Sequence, residues 1–209
     1  MKTVLSILIL FIVTGCATTT GNTPREPGYR AAVSAMVAPG YPVNRIQKPQ
    51  AFGLVNSFKG SDTQGYSYSP SAPNSRGELT EAGATWISGE DQTAVASVYH
   101  AGLTPQPGHT AKWLNWEEST GTDIVDGTRF QYRMLKGRYE DAVWDANNIP
   151  NDAPACAVAV QLMAHSVTRD KRTVLAYTEG RTCDKLNLHG IGSEQRLRGA
   201  AYDHFGLRE

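Results

Sequence analysis

The chain has 209 residues, and its 20 lysines and arginines balance 20 aspartates and glutamates. That balance, with no long run of like charge, excludes the basic footprint of a nucleic-acid binder. Beyond the first 28 residues about 180 remain, enough for one domain that buries a sizeable core without many staples. No internal repeat and no second domain boundary is visible.

The chain starts with the weakly positive Met1-Lys2-Thr3. Val4 to Val13 follows, an apolar run interrupted by Ser6 alone. A membrane-spanning helix needs roughly 20 apolar residues. This run is about half that length and suits the apolar core of a signal peptide. Directly after it stands Val13-Thr14-Gly15-Cys16, which resembles the lipobox of bacterial lipoproteins. The resemblance implies that the Cys16 thiol receives a diacylglyceryl group, that cleavage falls between Gly15 and Cys16, and that the new amino terminus is acylated. Two or more acyl chains hold a protein on a membrane where a single chain does not. Residue 17 is alanine and not aspartate, the choice that favours the outer membrane in enterobacteria. The expected organisation is therefore a signal peptide at 1–15, a flexible tether at 16–28 rich in Thr, Gly, Pro and Asn, and a single β-rich domain at 29–209.

In chain order, Tyr29, Val33 and Val37 make a short helical stripe that Pro39-Gly40 would end. Phe52, Leu54 and Phe58 predict a strand over Ala51 to Phe58, while Tyr66 to Asn74 reads as loop by composition. Ser75-Arg76-Gly77-Glu78 matches a capping box and predicts a brief helix through Leu79, Ala82 and Trp86, weakened by Gly77 and Gly83. Thr93 to His100 and Ala111 to Glu117 read as strands. Asp126-Gly127 suits the positive φ angles of a type I′ hairpin turn. Phe130, Tyr132 and Met134 alternate with Arg129, Gln131 and Arg133 beyond it, as in a sheet with one buried side. Lys136-Gly137 reads as a turn into a strand from Arg138 to Trp144, and Asn147 to Asp152 as a loop.

With Cys16 lipidated, Cys156 and Cys183 remain, and an exported domain favours their pairing. Each lies in an apolar, β-branched run, Ala155 to Val167 and Arg172 to Thr182. A two-residue loop at Arg169-Asp170 would place Cys156 opposite Cys183, within the Cα separation that disulfides accept. Arg169 to Arg172 itself reads as a solvated turn. At the end, Ser193 is placed to cap a helix to about Phe205, whose apolar face is Leu197, Ala201 and Phe205 with Ala200 and His204. The whole predicts an α+β fold, mainly antiparallel β-sheet, either sandwich-like or with short peripheral helices.

Chemistry is sparsely marked. The sequence contains no Gly-x-Ser-x-Gly elbow, phosphate loop, dinucleotide fingerprint or His-Glu-x-x-His. No cofactor and no metal site is expected. The five histidines, His100, His109, His165, His189 and His204, are scattered; His189 and His204 near Cys183-Asp184 form the only loose cluster. Glu90-Asp91 and Glu140-Asp141 read as solvated charges. Trp113 and Trp116 beside Glu117 and Glu118 are the candidate binding residues, an aromatic platform next to carboxylates. Two functions are compatible with this: a non-enzymatic, lipid-anchored envelope domain with a protein partner, and a cell-envelope hydrolase or glycan-binding module built on those four residues.

Overall fold

The computed structural model describes residues 27–30, 35–47, 52–60, 62–70, 79–89, 112–140, 155–168 and 170–208. The signal segment, most of the tether, and the calls on Thr93 to His100 and Asn147 to Asp152 lie outside them. So do Glu90, Asp91, Asp141, His100 and His109.

Three short strands, β1 (Gly28–Arg30), β2 (Ala35–Val37) and β3 (Arg45–Gln47), pair antiparallel in that order. The main sheet holds β4 (Phe52–Lys59), β5 (Thr63–Pro70), β6 (Leu79–Ser88), β7 (Lys112–Val125), β8 (Thr128–Glu140), β9 (Ala155–His165) and β10 (Lys171–Thr182). Its order is β4-β5-β6-β10-β9-β8-β7, with every neighbouring pair antiparallel. Two meanders, β4 to β6 and β7 to β10, are thus joined through their last strands, which puts β10 at the centre. Two helices follow, α1 (Cys183–Leu186) and α2 (Ser193–His204). The mainly antiparallel architecture with short helices is as the sequence implied.

The core lies on one face of the main sheet. Ala82, Ala84 and Trp86 of β6, Leu175 of β10, Val158, Val160 and Leu162 of β9, and Phe130 and Met134 of β8 meet Leu197, Ala201, Tyr202 and Phe205 of α2. The small sheet adds Met36 and Ile46. Its β2–β3 loop is pinned by Trp86 Nε1, which donates to Val43 O at 3.1 Å, and by Val43 N, which donates to Thr173 Oγ1 at 3.4 Å. The opposite face also buries residues, among them Leu135, Ala159, Met163 and Val174. Nearly all of β9 is therefore buried, and its sequence is almost continuously apolar for that reason.

Several expectations need correction. Tyr29 to Ala38 contains strands and not a helix: Gly28 pairs with Val37 and Arg30 with Ala35. Gly40 (φ 82°) supplies the turn after β2. Gly28, assigned to the tether, already belongs to this sheet, and Pro27 O accepts a hydrogen bond from Tyr66 Oη at 3.2 Å. Leu79 to Ser88 is strand, because alternate residues Ala82, Ala84 and Trp86 have a buried face to fill and β5 and β10 flank them. Tertiary pairing overrides a local capping pattern. Tyr66 to Pro70 belongs to β5 rather than to a loop.

The turn call at Lys136-Gly137 also fails, since β8 runs straight through it to Glu140. The glycine has another cause. β7 bulges between Trp113 and Asn115, and a Cβ on residue 137 would stand 1.9 Å from Asn115 O. Only glycine admits that approach. From Arg133 to Lys136, moreover, successive residues are all buried, so the one-sided alternation stops halfway along β8.

The Asp126-Gly127 turn is present as expected, with φ of 46° and 74° and Val125 opposite Thr128. α2 spans the expected residues, but Ser193 is its first helical residue. Gly192 occupies the cap position, with no side-chain cap bond.

Candidate functional site

The predicted disulfide is present: Cys156 and Cys183 are joined with a Cα separation of 4.8 Å. The register differs from the expected one. His165 faces Arg172 and Cys156 faces Arg181, so the loop spans Ser166 to Asp170. Side chains shape it, with Ser166 Oγ and Thr168 Oγ1 both donating to Asp170 Oδ1. Those hydrogen bonds, the one from Thr168 first, hold the Asp170 carboxyl below its usual range. Cys183 reaches back to Cys156 from the first residue of α1. Arg172 is not part of a solvated turn: it is 3% exposed and donates to His165 Nδ1 and Gly89 O, each at 3.1 Å.

β7 carries the four predicted binding residues at the outer edge of the sheet order. Trp113 pairs with Tyr139 before the bulge, and Trp116 with Gly137 after it. Trp116 is 48% exposed. Glu117 and Glu118 are consecutive on a strand and so project to opposite faces. Glu118 accepts two hydrogen bonds from Arg133, Nε at 2.7 Å and Nη2 at 3.2 Å. Glu117 lies 3.3 Å from Lys136 Nζ and 3.8 Å from His189 Nδ1. The strand does not bring two carboxylates to one side, and each already meets a cation.

Lys136 is the hub on the face that α2 covers. Its side chain is buried, donates to Leu188 O at 3.2 Å, and also lies 3.8 Å from Glu194 Oε1 on α2. His204 is remote from His189 in environment: its ring packs 4.9 Å from Tyr177 and 5.4 Å from Phe205. Burial pulls its pKa down to about 4, so it is a neutral packed side chain at ordinary pH. Among the described residues no group of three or more His, Cys, Asp or Glu is arranged to hold a metal.

A different cluster, one that local motifs do not show, closes the turn end of the β7–β8 hairpin against α2. Asp123 accepts from Arg198 Nε at 2.8 Å and from Tyr202 Oη at 2.7 Å. Burial and this carboxylate both raise the Tyr202 pKa, so its hydroxyl stays protonated. The Arg198 guanidinium lies 4.1 Å from the centre of the Tyr132 ring. Tyr132 in turn covers Gly121, where a Cβ would collide with its ring. Asp123, Ile124, Val125, Gln195, Arg198, Tyr202 and Arg208 line a cleft of about 260 Å³. Asp123 is 75 residues from Arg198 and 79 from Tyr202. The only sequence signal was the i, i+4 spacing of Arg198 and Tyr202 on one helix face. Set against known proteins, the sequence matches no protein-family model and resembles no curated protein to a significant degree.

Proposed function

We propose that the chain is a lipid-anchored protein of the cell envelope, held on the outer membrane through Cys16, whose β-rich domain binds a protein partner and performs no catalysis. The observation that carries this reading is the cysteine arithmetic. Of three cysteines, two are consumed by the Cys156–Cys183 bridge. That leaves Cys16, the one standing behind an apolar run in a lipobox-like Val13-Thr14-Gly15-Cys16 context. A structural bridge also fits an oxidising compartment. Against catalysis by the Trp116 neighbourhood stand the opposed directions of Glu117 and Glu118 and their pairing with Lys136 and Arg133.

Intact mass of the full chain from native membranes tests the anchor. The expected species starts at Cys16, carries acyl groups, and gains two daltons on reduction. The Cys16→Ser chain is expected to lose both the acyl mass and the membrane association. An unacylated chain with another amino terminus would make this a secreted protein and remove the tethered reading. Crosslinking in those same membranes tests the partner. Binding to isolated cell-wall glycan that is lost with Trp116→Ala would replace the protein-partner reading with the glycan one.

A further inference from the structure

The two outer strands of the main sheet differ as edges. β4 is interrupted by a bulge between Leu54 and Asn56 and ends in Lys59, both devices that blunt an edge against further pairing. β7 bulges only between Trp113 and Asn115, and from Trp116 to Val125 its register against β8 is regular. That stretch contains no proline and no lysine. Val125 and Thr128 flank the two-residue turn and exchange backbone hydrogen bonds, so the odd-numbered residues of β7 bond to β8. The N–H and C=O groups of Trp116, Thr120, Thr122 and Ile124 therefore point outward, and no described strand lies beyond them. These four residues are exposed, and their side chains share the face turned away from α2. Of the four large apolar side chains exposed among the described residues, two stand at the ends of this row, Trp116 at 48% and Ile124 at 74%.

We propose that two copies of the chain join through this edge, β7 pairing antiparallel with β7 of the second copy about a two-fold axis at Thr120. Outward-pointing residues must face outward-pointing residues, so the numbers of facing residues add to an even value. A centre at Thr120 sets Trp116 against Ile124, Glu118 against Thr122, and Thr120 against itself. The two exposed apolar side chains then cover each other, and do so twice, as a two-fold interface requires. A centre at Ser119 would set Trp116 against Thr122, and one at Gly121 would set Ile124 against Glu118. The five facing pairs exchange about ten backbone hydrogen bonds, the number typical of a specific interface. On the α2 face, Glu117 meets Asp123 and Ser119 meets Gly121. Both acids carry a cation of their own chain, Lys136 and Arg198, so ion pairs are apposed and not bare carboxylates. Pro27, next to the tether, bonds to Tyr66 of β5 on the β4 side of the sheet, so both tethers leave away from the joint. The bulge in β4 stops the sheet from growing at its other edge, and the assembly closes at two copies. This self-pairing goes beyond the partner reading above and needs neither a further partner nor the lipid anchor.

Directly opposed residues of a hydrogen-bonded antiparallel pair have Cα atoms about 5.5 Å apart, within disulfide range. Thr120→Cys in the full chain, oxidised in native membranes, is therefore expected to crosslink to its own copy. Thr122→Cys is the register control. Its counterpart lies four residues along the strand, about 14 Å away, so it is expected to stay monomeric, as is the parent chain. Ile124→Ala added to Thr120→Cys removes both Trp116–Ile124 contacts and is expected to weaken the dimer about tenfold. Thr122→Pro removes an outward N–H that the β7–β8 ladder does not use, so lost crosslinking with an unchanged melting temperature separates the joint from the fold. A Thr120→Cys chain that stays monomeric, equal crosslinking at positions 120 and 122, or crosslinking indifferent to Ile124→Ala would each overturn the proposal. A bond from Thr120→Cys to a different protein in place of a second copy would overturn it while leaving the partner reading in place.

Discussion

The β9–β10 and β7–β8 hairpins are neighbours in one sheet and are held together by different forces. β9 and β10 lie at the centre, buried on both faces, and a disulfide closes their open end. β7 and β8 form the edge pair, where most of β7 is exposed. Their pairing depends on a two-residue turn, a glycine opposite a bulge, and two carboxylates of β7, Glu117 and Glu118, that each meet a cation of β8. Burial fixes register in the first hairpin; backbone geometry and charge fix it in the second. The two should therefore fail under different perturbations.

The largest expected effect is on the central hairpin. Replacing both Cys156 and Cys183 by serine removes a bridge spanning 27 residues, a loss of about 3 kcal/mol on the chain-entropy model. Urea unfolding of the oxidised and the doubly substituted chain measures it directly. Equal midpoints would show that the packed strands and α1 hold this end without the bond. At the edge hairpin, Gly137→Ala places a Cβ into the backbone of Asn115. Backbone cannot swing aside as a side chain does, so a cost of about 2–3 kcal/mol is expected. Alanine tolerated there without loss would mean that the bulge between Trp113 and Asn115 relaxes freely.

The same contrast governs what the sequence disclosed. The edge turn was legible because Asp126-Gly127 has few backbone options, and the strand after it alternated cleanly as far as Gln131. The central loop was not, because Thr168, Asp170 and Ser166 build it from side-chain hydrogen bonds, which lengthens the loop and shifts the register by two. An even shift leaves every side chain on its face, so the cysteines were still brought within bonding distance. β6 was hidden by Ser75 to Glu78, whose local pattern promised a helix while the alternation of Ala82, Ala84 and Trp86 followed the sheet. The Asp123–Arg198–Tyr202–Arg208 cleft had no local signature, since its parts come from a hairpin end, one helix and the tail beyond it. Trp116, Glu117 and Glu118 looked like a site because they are adjacent in sequence, and the strand turns Glu117 away from the other two.

Acid should act on the core side of this contrast. His204 packs over Tyr177 of the central strand, and burial lowers its pKa from 6.5 to about 4. Between those values the unfolded chain binds a proton that the folded chain refuses. Its contribution to stability is therefore complete above pH 6.5, falls as the pH drops toward 4, and is constant below that. Allowing for its partial exposure, the loss is about 2 kcal/mol. Stability curves of the wild type and His204→Phe at pH 7.5 and 4.5 should converge or cross as the pH falls. A difference independent of pH would show that His204 is protonated at little cost in the fold.

The smallest effects test the ion pairs of the edge strand against each other. Arg133 is largely buried, and Glu118 meets it through two short hydrogen bonds. Glu118→Gln leaves that guanidinium poorly compensated and should cost about 1 kcal/mol, discounted because Glu118 is itself 41% exposed. Lys136 is buried to a similar degree, yet it has Leu188 O and Glu194 besides Glu117. Glu117→Gln should then cost no more than about 0.5 kcal/mol. The two substitutions are adjacent, conservative and on the same strand, so the difference between them isolates how many partners each cation retains. If Glu117→Gln proves the costlier, Lys136 depends on β7 rather than on α2, and the edge strand contributes more to the attachment of the helix than the geometry assigns to it.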